Sequence, residues 1–374
     1  MARKSARKCE VANMIKQKNK LNNTTKNNLT TYAILIGLFA FAFIMSETGN
    51  MSRLMQGLLV PLCTYSILAV SLNLVVGILG DLSLGHAGFM CVGAYASAFF
   101  SVVTEDMIEQ SWLRFLIALL LGGISAGIFG LIIGIPVLRL KGDYLAIVTL
   151  AFGEIIKNIV NLLYVGVDSN GFHISIKSAN DLGLEPDGKM LIKGALGITG
   201  TPKDSNFVIG FILLLITVIV SLNLINSRTG RAVMSIRDNR IAAQSIGINV
   251  TKYKLIIFTI SSFFAGIAGV LYAHNLNSLA ATTKNFGYNM SILILVFVVL
   301  GGIGSIRGSF IAAIILTALP ELLRGVGEYR MLFYAILLIV MMIVNNNEKF
   351  KAITNKLLPK KLGKNKSVSK GGNI

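Results

Sequence analysis

Ionisable side chains are scarce in this chain of 374 residues. Asp, Glu, Lys and Arg make up 14% of it, against about a quarter in a soluble domain. That excludes an ordinary water-soluble fold. Acids are scarcer still, 17 against 35 Lys and Arg, and no catalytic cluster forms among the polar residues, which argues against a membrane enzyme. The cysteines are Cys9, Cys63 and Cys91, an odd number without metal-type spacing. His86, His173 and His274 are scattered and never fall four residues apart. Neither a disulfide framework nor a zinc site is supported, and no metal or cofactor is expected.

What the chain has instead is apolar length. Hydrophobic residues are 54% of it, and several windows approach the roughly 20 residues that a spanning helix needs. The expected fold is an all-α polytopic membrane protein with about ten transmembrane helices. The spans fall near 32–45, 54–77, 85–103, 113–137, 144–166, 207–226, 254–275, 288–303, 306–323 and 330–345. The pair 288–303 and 306–323 is split by "GIGSIRG" and also fits a re-entrant hairpin. Residues 1–31 read as a basic cytoplasmic arm, 32–345 as the transmembrane domain and 346–374 as a basic cytoplasmic tail.

The formal charge of +18 invites a nucleic-acid reading. The bases argue against it, because they concentrate in the two tails and in short loops, where orientation signals for insertion belong. Membrane lipid is the expected surface, and no nucleic acid. Ten spans return the second tail to the side of the first. "TEDMIEQ" at 104–110, acidic, then falls outside with the long loop 167–206. "LRLKGD" and the basic loop 227–253 fall inside.

One stretch is at odds with a plain span. "LRLKGDYLAIVTLAFGEIIKNIVNLL", Leu138 to Leu163, enters past Asp143 and carries Glu154 and Lys157 well inside. Glu154 lies eleven residues beyond Asp143, about 16 Å along a helix and near the middle of the hydrocarbon core. Glu154, Lys157, Asn158 and Asn161 share one helical face. Two readings stand. The acid and base neutralise each other and fix packing, or the stripe borders the passage of a polar solute.

The loop "TGRAVMSIRDNRIAAQSIGIN", Thr229 to Asn249, is too polar to span and long enough for a short amphipathic helix. Ala232, Ile236, Ile241, Ala243 and Ile246 give it an apolar side; Arg231, Arg237 and Arg240 give it a cationic one. Gly247 ends it. Such a helix lies on a lipid surface or in a partner's groove.

Ala242, Ala243 and Gly247 match the Ala-Ala-x-x-x-Gly of the loop by which ATP-binding-cassette importer permeases dock their ATPases; Ile241 stands where that pattern has Glu. "LRLKGDYLAIVTLAFGEIIK" resembles the larger-type permease subunit of branched-chain amino-acid importers. "DLSLGHAGFMCVGAYASA" (81–98), the 230–249 loop and "GGIGSIRGSFIAAIIL" (301–316) resemble three further blocks of that family in the same order. "DSNGFHI", 168–174, departs from the family's "G-P-x-G-I".

The resemblance implies a subunit in the bacterial inner (plasma) membrane, both termini cytoplasmic. It implies as partners a homologous permease, two ATP-binding cassette subunits and an extracytoplasmic solute-binding protein. No Walker-type phosphate loop occurs here, so ATP hydrolysis falls to the separate subunits. On this reading Arg231, Arg237, Asp238, Ala242, Ala243 and Gly247 meet the ATPase. Asn73, His86, Asp143, Glu154, Lys157 and Asn158 line the pathway or its packing. Three alternatives stay open: a related permease for urea, short amides or another small polar solute; a sugar or nucleoside permease; and an ion-coupled secondary transporter, which would work without an ATPase.

Overall fold

The computed structural model describes residues 28–323 apart from 50, 106, 141, 169–170 and 185–187, with scattered positions between 329 and 343. Eight helices among these are long and apolar enough to cross a membrane. They are α1 (Asn28–Glu47), α2 (Arg53–Asn73, continued as a π-helical turn to Leu79), α3 (His86–Val103), α4 (Ser111–Val137), α5 (Asp143–Leu162), α6 (Phe207–Asn226), α9 (Val250–Ala273) and α10 with α11 (Thr283–Phe286, Tyr288–Gly301). Two short helices, α7 (Arg228–Asp238) and α8 (Arg240–Ser245), lie between α6 and α9. A final helix, α12 (Ile306–Leu322), has 17 residues, about 25 Å at 1.5 Å each.

From Leu322 the chain forms a second unit. In it the described positions 332–333, 335–336, 338–340 and 343 are helical, within the span expected at 330–345. The tail at 346–374 lies outside the described residues, as does the arm up to residue 27. Helix begins at Asn28, four residues ahead of the expected start of the first span at 32.

The centre of the bundle is built from backbone contact. A methyl group at Gly93 of α3 would lie 2.4 Å from the Gly266 carbonyl oxygen of α9. One at Gly266 would lie 2.6 Å from the Gly122 oxygen of α4, and one at Gly269 would lie 2.1 Å from the Met90 oxygen. Three helices therefore cross where only glycine fits, the close approach that drives packing in lipid. α4 turns its other side outward as an apolar strip, Leu116, Leu120, Ile124, Ile128 and Ile132, at the i+4 spacing of one helical face.

The composition did not announce a sheet, and the structure contains one. Five short antiparallel strands run in the order β2-β1-β3-β4-β5: β1 (Tyr164–Asp168), β2 (Gly171–Ser175), β3 (Lys189–Lys193), β4 (Ile198–Thr199) and β5 (Ser278–Leu279). The register pairs Tyr164 with Ser175 and Val165 with Ile174. The link after α9 returns to this sheet as β5, paired Ile198 to Leu279. Tyr95 of α3 donates its hydroxyl to the Leu279 carbonyl at 3.0 Å. A buried Arg114–Asp204 pair at 3.1 Å ties the start of α4 to the strand-bearing loop. The sheet caps one end of the bundle, and α7–α8 lie at the other.

Candidate functional site

The loop between α6 and α9 is two helices where the sequence suggests one. Ser227 caps α7 by accepting the Gly230 N–H at 3.1 Å. The chain then breaks at Asn239, φ −155° and ψ 104°, whose side chain accepts the Ala242 N–H at 3.1 Å and starts α8. Each cap is worth about 1 kcal/mol. Gly247, at φ +84°, takes the left-handed turn that leads to Asn249, which caps α9 through the Lys252 N–H at 3.1 Å.

Burial divides the expected apolar side in two. Ile236, Ala243 and Val250 form a small internal core with Ile248 and Tyr253 against it. Ala243, expected at a partner surface, is instead 2% exposed, because its methyl closes α8 onto α7. Ile241 and Ile246 point the other way, 79% and 74% exposed, and Arg231, Asp238, Ala242 and Gly247 are exposed with them.

Arg237 faces both ways. It pairs with Asp238 at 3.0 Å and donates through Nη1 to the Gly77 carbonyl at 3.1 Å, inside the π-helical turn that ends α2. The turn closes at Gly80, φ +82°; a side chain there would meet the Arg237 Cγ at 2.6 Å. Lys254, in the first turns of α9, pairs with Asp81 just beyond. Two cations thus clasp the carbonyl end of α2, where the helix dipole favours positive charge.

The clasp continues inward through Asn73, which is fully buried. Its Oδ1 accepts the Gly304 N–H at 2.9 Å and its Nδ2 donates to Ser309 Oγ at 2.8 Å. Asn73 therefore holds the turn between α11 and α12. At that turn a methyl on Gly308 would fall 1.6 Å from the Gly301 oxygen. Arg307 of α12 bonds Thr31 of α1. The glycines of "GGIGSIRG" make a tight helix–helix corner.

His86 lies at the start of α3, buried, with Nε2 and Ser71 Oγ 2.7 Å apart. Ser261 of α9 donates to the Ser71 carbonyl at 2.6 Å, so His86 sits within a packing network of α2, α3 and α9.

The polar stripe of α5 meets the break between α10 and α11. Lys157 pairs with Glu154 and donates to Thr283 Oγ1 at 3.3 Å. Glu154 Oε1 accepts the N–H of Tyr288, the first residue of α11, at 2.7 Å, and so caps that helix. Asn161 donates to the Ala281 carbonyl at 2.9 Å. The side chains of Lys157 and Glu154 are 9% and 24% exposed. Asn158 and Asp143 are exposed and outside this network.

The stripe was legible from spacing; its partners at 281–288 and the Asp81–Lys254 pair were not. A lone acid at the head of "DLSLGHAGF" and the second of two lysines, Lys252 and Lys254, in the first turns of α9 were the available signals. Among the described residues no group of His, Cys, Asp and Glu is placed to hold a metal.

A family model described as the permease component of the branched-chain amino acid transport system matches residues 54–344. The chain is 34% identical over 331 residues to the high-affinity branched-chain amino acid transport system permease protein LivM of Salmonella typhimurium, covering 86% of this chain and 74% of that one. LivM of Escherichia coli K12 is also 34% identical, over 332 residues, with the same coverage. The permease protein LivH of the same system in Salmonella typhimurium is 22% identical over 289 residues, 75% of this chain and 89% of its own. No solved structure matches the chain. With its apolar helices, glycine-built core and sequence blocks matched from 54 to 344, this chain belongs to the family of branched-chain amino acid transport permease components.

Proposed function

We propose that the chain is one permease half of an ATP-driven importer for leucine, isoleucine and valine in a bacterial plasma membrane, with both termini in the cytoplasm. A homologous permease supplies the other half. Two ATP-binding cassette subunits dock at the α7–α8 end, and an extracytoplasmic solute-binding protein docks at the sheet end. The observation that carries this reading is the construction of α7–α8. Its core is buried inward, Ile241 and Ile246 are left in the open, and Arg237 fastens it to the end of α2, beside the Lys254–Asp81 pair that ties α9 to the same place.

That construction suits a lever. A short helix seated in an ATPase groove by two aliphatic side chains follows the groove when the ATPase pair closes. The motion reaches α2 through Arg237 on the Gly77 carbonyl and Lys254 on Asp81. Asn73 passes it to the α11–α12 corner. Hydrogen bonds with a charged partner are worth about 1.5–3 kcal/mol each, enough to make the clasp move as a body. The chain does no chemistry itself; it converts closure of the ATPases into alternating access.

The test is retention of the ATPase subunit by Ile241→Asp with Ile246→Asp. Both changes put acids where burial against a partner is expected and leave the inner core of the loop intact. At least tenfold less ATPase should co-purify with a variant still folded in the membrane. Undiminished retention would refute the docking role of α8.

A further inference from the structure

Helices α1, α2, α6 and α12 meet around a cavity of about 220 Å³. Leu35, Leu59, Cys63 and Phe310 form its floor, each at most 5% exposed, while Leu38 and Phe41, 40% and 64% exposed, stand at its open side. Phe39 of α1 stacks on Phe211 of α6, ring centroids 3.9 Å apart, and braces one wall. The single hydroxyl in the lining, on Ser66, is turned back to the Leu62 carbonyl at 2.7 Å. No wall group is left to order water or a charged solute, so the cavity suits an apolar guest.

Its depth follows from the helices. Arg307 of α12 bonds Thr31 of α1 beside the α11–α12 corner, which Asn73 ties to the end of α2 that Arg237 of α7 holds. Thr31, Leu35, Leu38 and Ala42 recur at i, i+4, i+7 and i+11, and Arg307, Phe310 and Ile314 at i, i+3 and i+7. The Arg307–Thr31 bond and the cavity therefore share one face of each helix. Phe310 lies about 5 Å along α12 from Arg307, and Ala42 lies about 16 Å along α1 from Thr31. The cavity thus starts one helical turn from the bond and ends about halfway through a hydrocarbon core of about 30 Å. Its reach is that of one leaflet.

We infer that this cavity binds an acyl chain of an anionic phospholipid from the leaflet on the α7–α8 side, with the lipid phosphate held by Arg307. Among the described residues only Thr31 bonds the Arg307 side chain, through Nε, and no carboxylate pairs with it. Both terminal nitrogens of the guanidinium are left for a phosphate, which they fit as a fork. A lipid tail gains little by exchanging other tails for an apolar wall, so the headgroup decides which lipid stays. A fixed cation at the membrane surface favours a headgroup with net negative charge. The sequence ahead of α1 adds Lys16, Lys18, Lys20 and Lys26, which draw anionic lipid to the same surface.

The test is photolabelling of the full chain, with and without its sister permease, in vesicles of equal phosphatidylglycerol and phosphatidylcholine. A trace of one or the other lipid carries a photoreactive acyl chain, and labelled peptides are mapped. Label from phosphatidylglycerol should concentrate on residues 35–42 and 207–214, at least tenfold over the α4 strip at 116–132, and should exceed label from phosphatidylcholine at least fivefold. Ala42→Phe, which fills the cavity, should remove the concentrated label from both lipids. Arg307→Gln should keep the label and lose the preference, and Arg307→Lys should restore part of it. Label spread evenly over the cavity and the α4 strip would show surrounding lipid only and overturn the inference. Undiminished label in Ala42→Phe, or a preference untouched by Arg307→Gln, would overturn it too. Loss of the label when the sister permease is added would make the cavity a protein interface, again against the inference.

Discussion

Neutralising either member of the Glu154–Lys157 pair should destabilise the chain more than neutralising both. Glu154→Gln strands Lys157, whose side chain is 9% exposed and keeps one neutral partner, Thr283 Oγ1. An uncompensated buried charge of this kind costs about 3–5 kcal/mol, and this case belongs at the upper end. Lys157→Met strands Glu154, but that carboxylate is 24% exposed and still accepts the Tyr288 N–H. Its cost belongs at the lower end, about 3 kcal/mol. The double change to Gln and Met leaves no charge, keeps an acceptor for Tyr288, and should lie within about 1 kcal/mol of the parent. The assay is the thermal midpoint of the detergent-solubilised protein, read with the folded fraction in membranes. The expected order is parent and double variant together, then Lys157→Met, then Glu154→Gln. A double variant as unstable as the sum of the singles would refute the pairing. A double variant that is stable yet inactive would show that the charges serve the solute.

Other changes probe the remaining links. Gly266→Ala places a methyl 2.6 Å from the Gly122 oxygen and 2.5 Å from the Ala126 Cβ and should cost about 1–3 kcal/mol as overpacking. Gly127→Ala, whose nearest neighbour would be 3.7 Å away, should be neutral in the same melting assay. Asn73→Leu leaves the Gly304 N–H without its acceptor and Ser309 without a partner on Asn73; with about 1–3 kcal/mol per stranded group, folded yield should fall sharply and refolded transport should not recover. Arg237→Glu and Gly247→Trp should leave the chain in the membrane and uncouple ATP hydrolysis from uptake, the first by breaking the contact with Gly77, the second by forcing a side chain onto φ +84°. Unchanged coupling in both would show that the clasp transmits nothing.

The helices were legible because apolar runs of about 20 residues have few other uses. Ends moved where capping decides them: α9 starts at Val250 because Asn249 caps it, before the hydropathy rises. The sheet was less visible, since two of its strands are two residues long. Yet Asn170-Gly171, where "YVGVD" turns into "GFHIS", is a hairpin signal that can be read without coordinates. The i, i+3, i+4, i+7 spacing found the α5 stripe, but only the fold separates Asn161, bonded to Ala281, from the exposed Asn158. Motif matching placed Ala242 and Ala243 together, and packing sent them to opposite sides. Contacts such as Asn73 with Gly304, 231 residues apart, carry no local pattern and become readable only in three dimensions.

The most direct test of the account is uptake of labelled leucine into vesicles that hold this chain, its sister permease and the ATPase, with the solute-binding protein outside and ATP inside. Leucine uptake should require ATP and every partner, and excess urea should not compete it away. Uptake of urea in place of leucine would contradict the assigned substrate, and leucine uptake by this chain alone would contradict the coupling mechanism at its root.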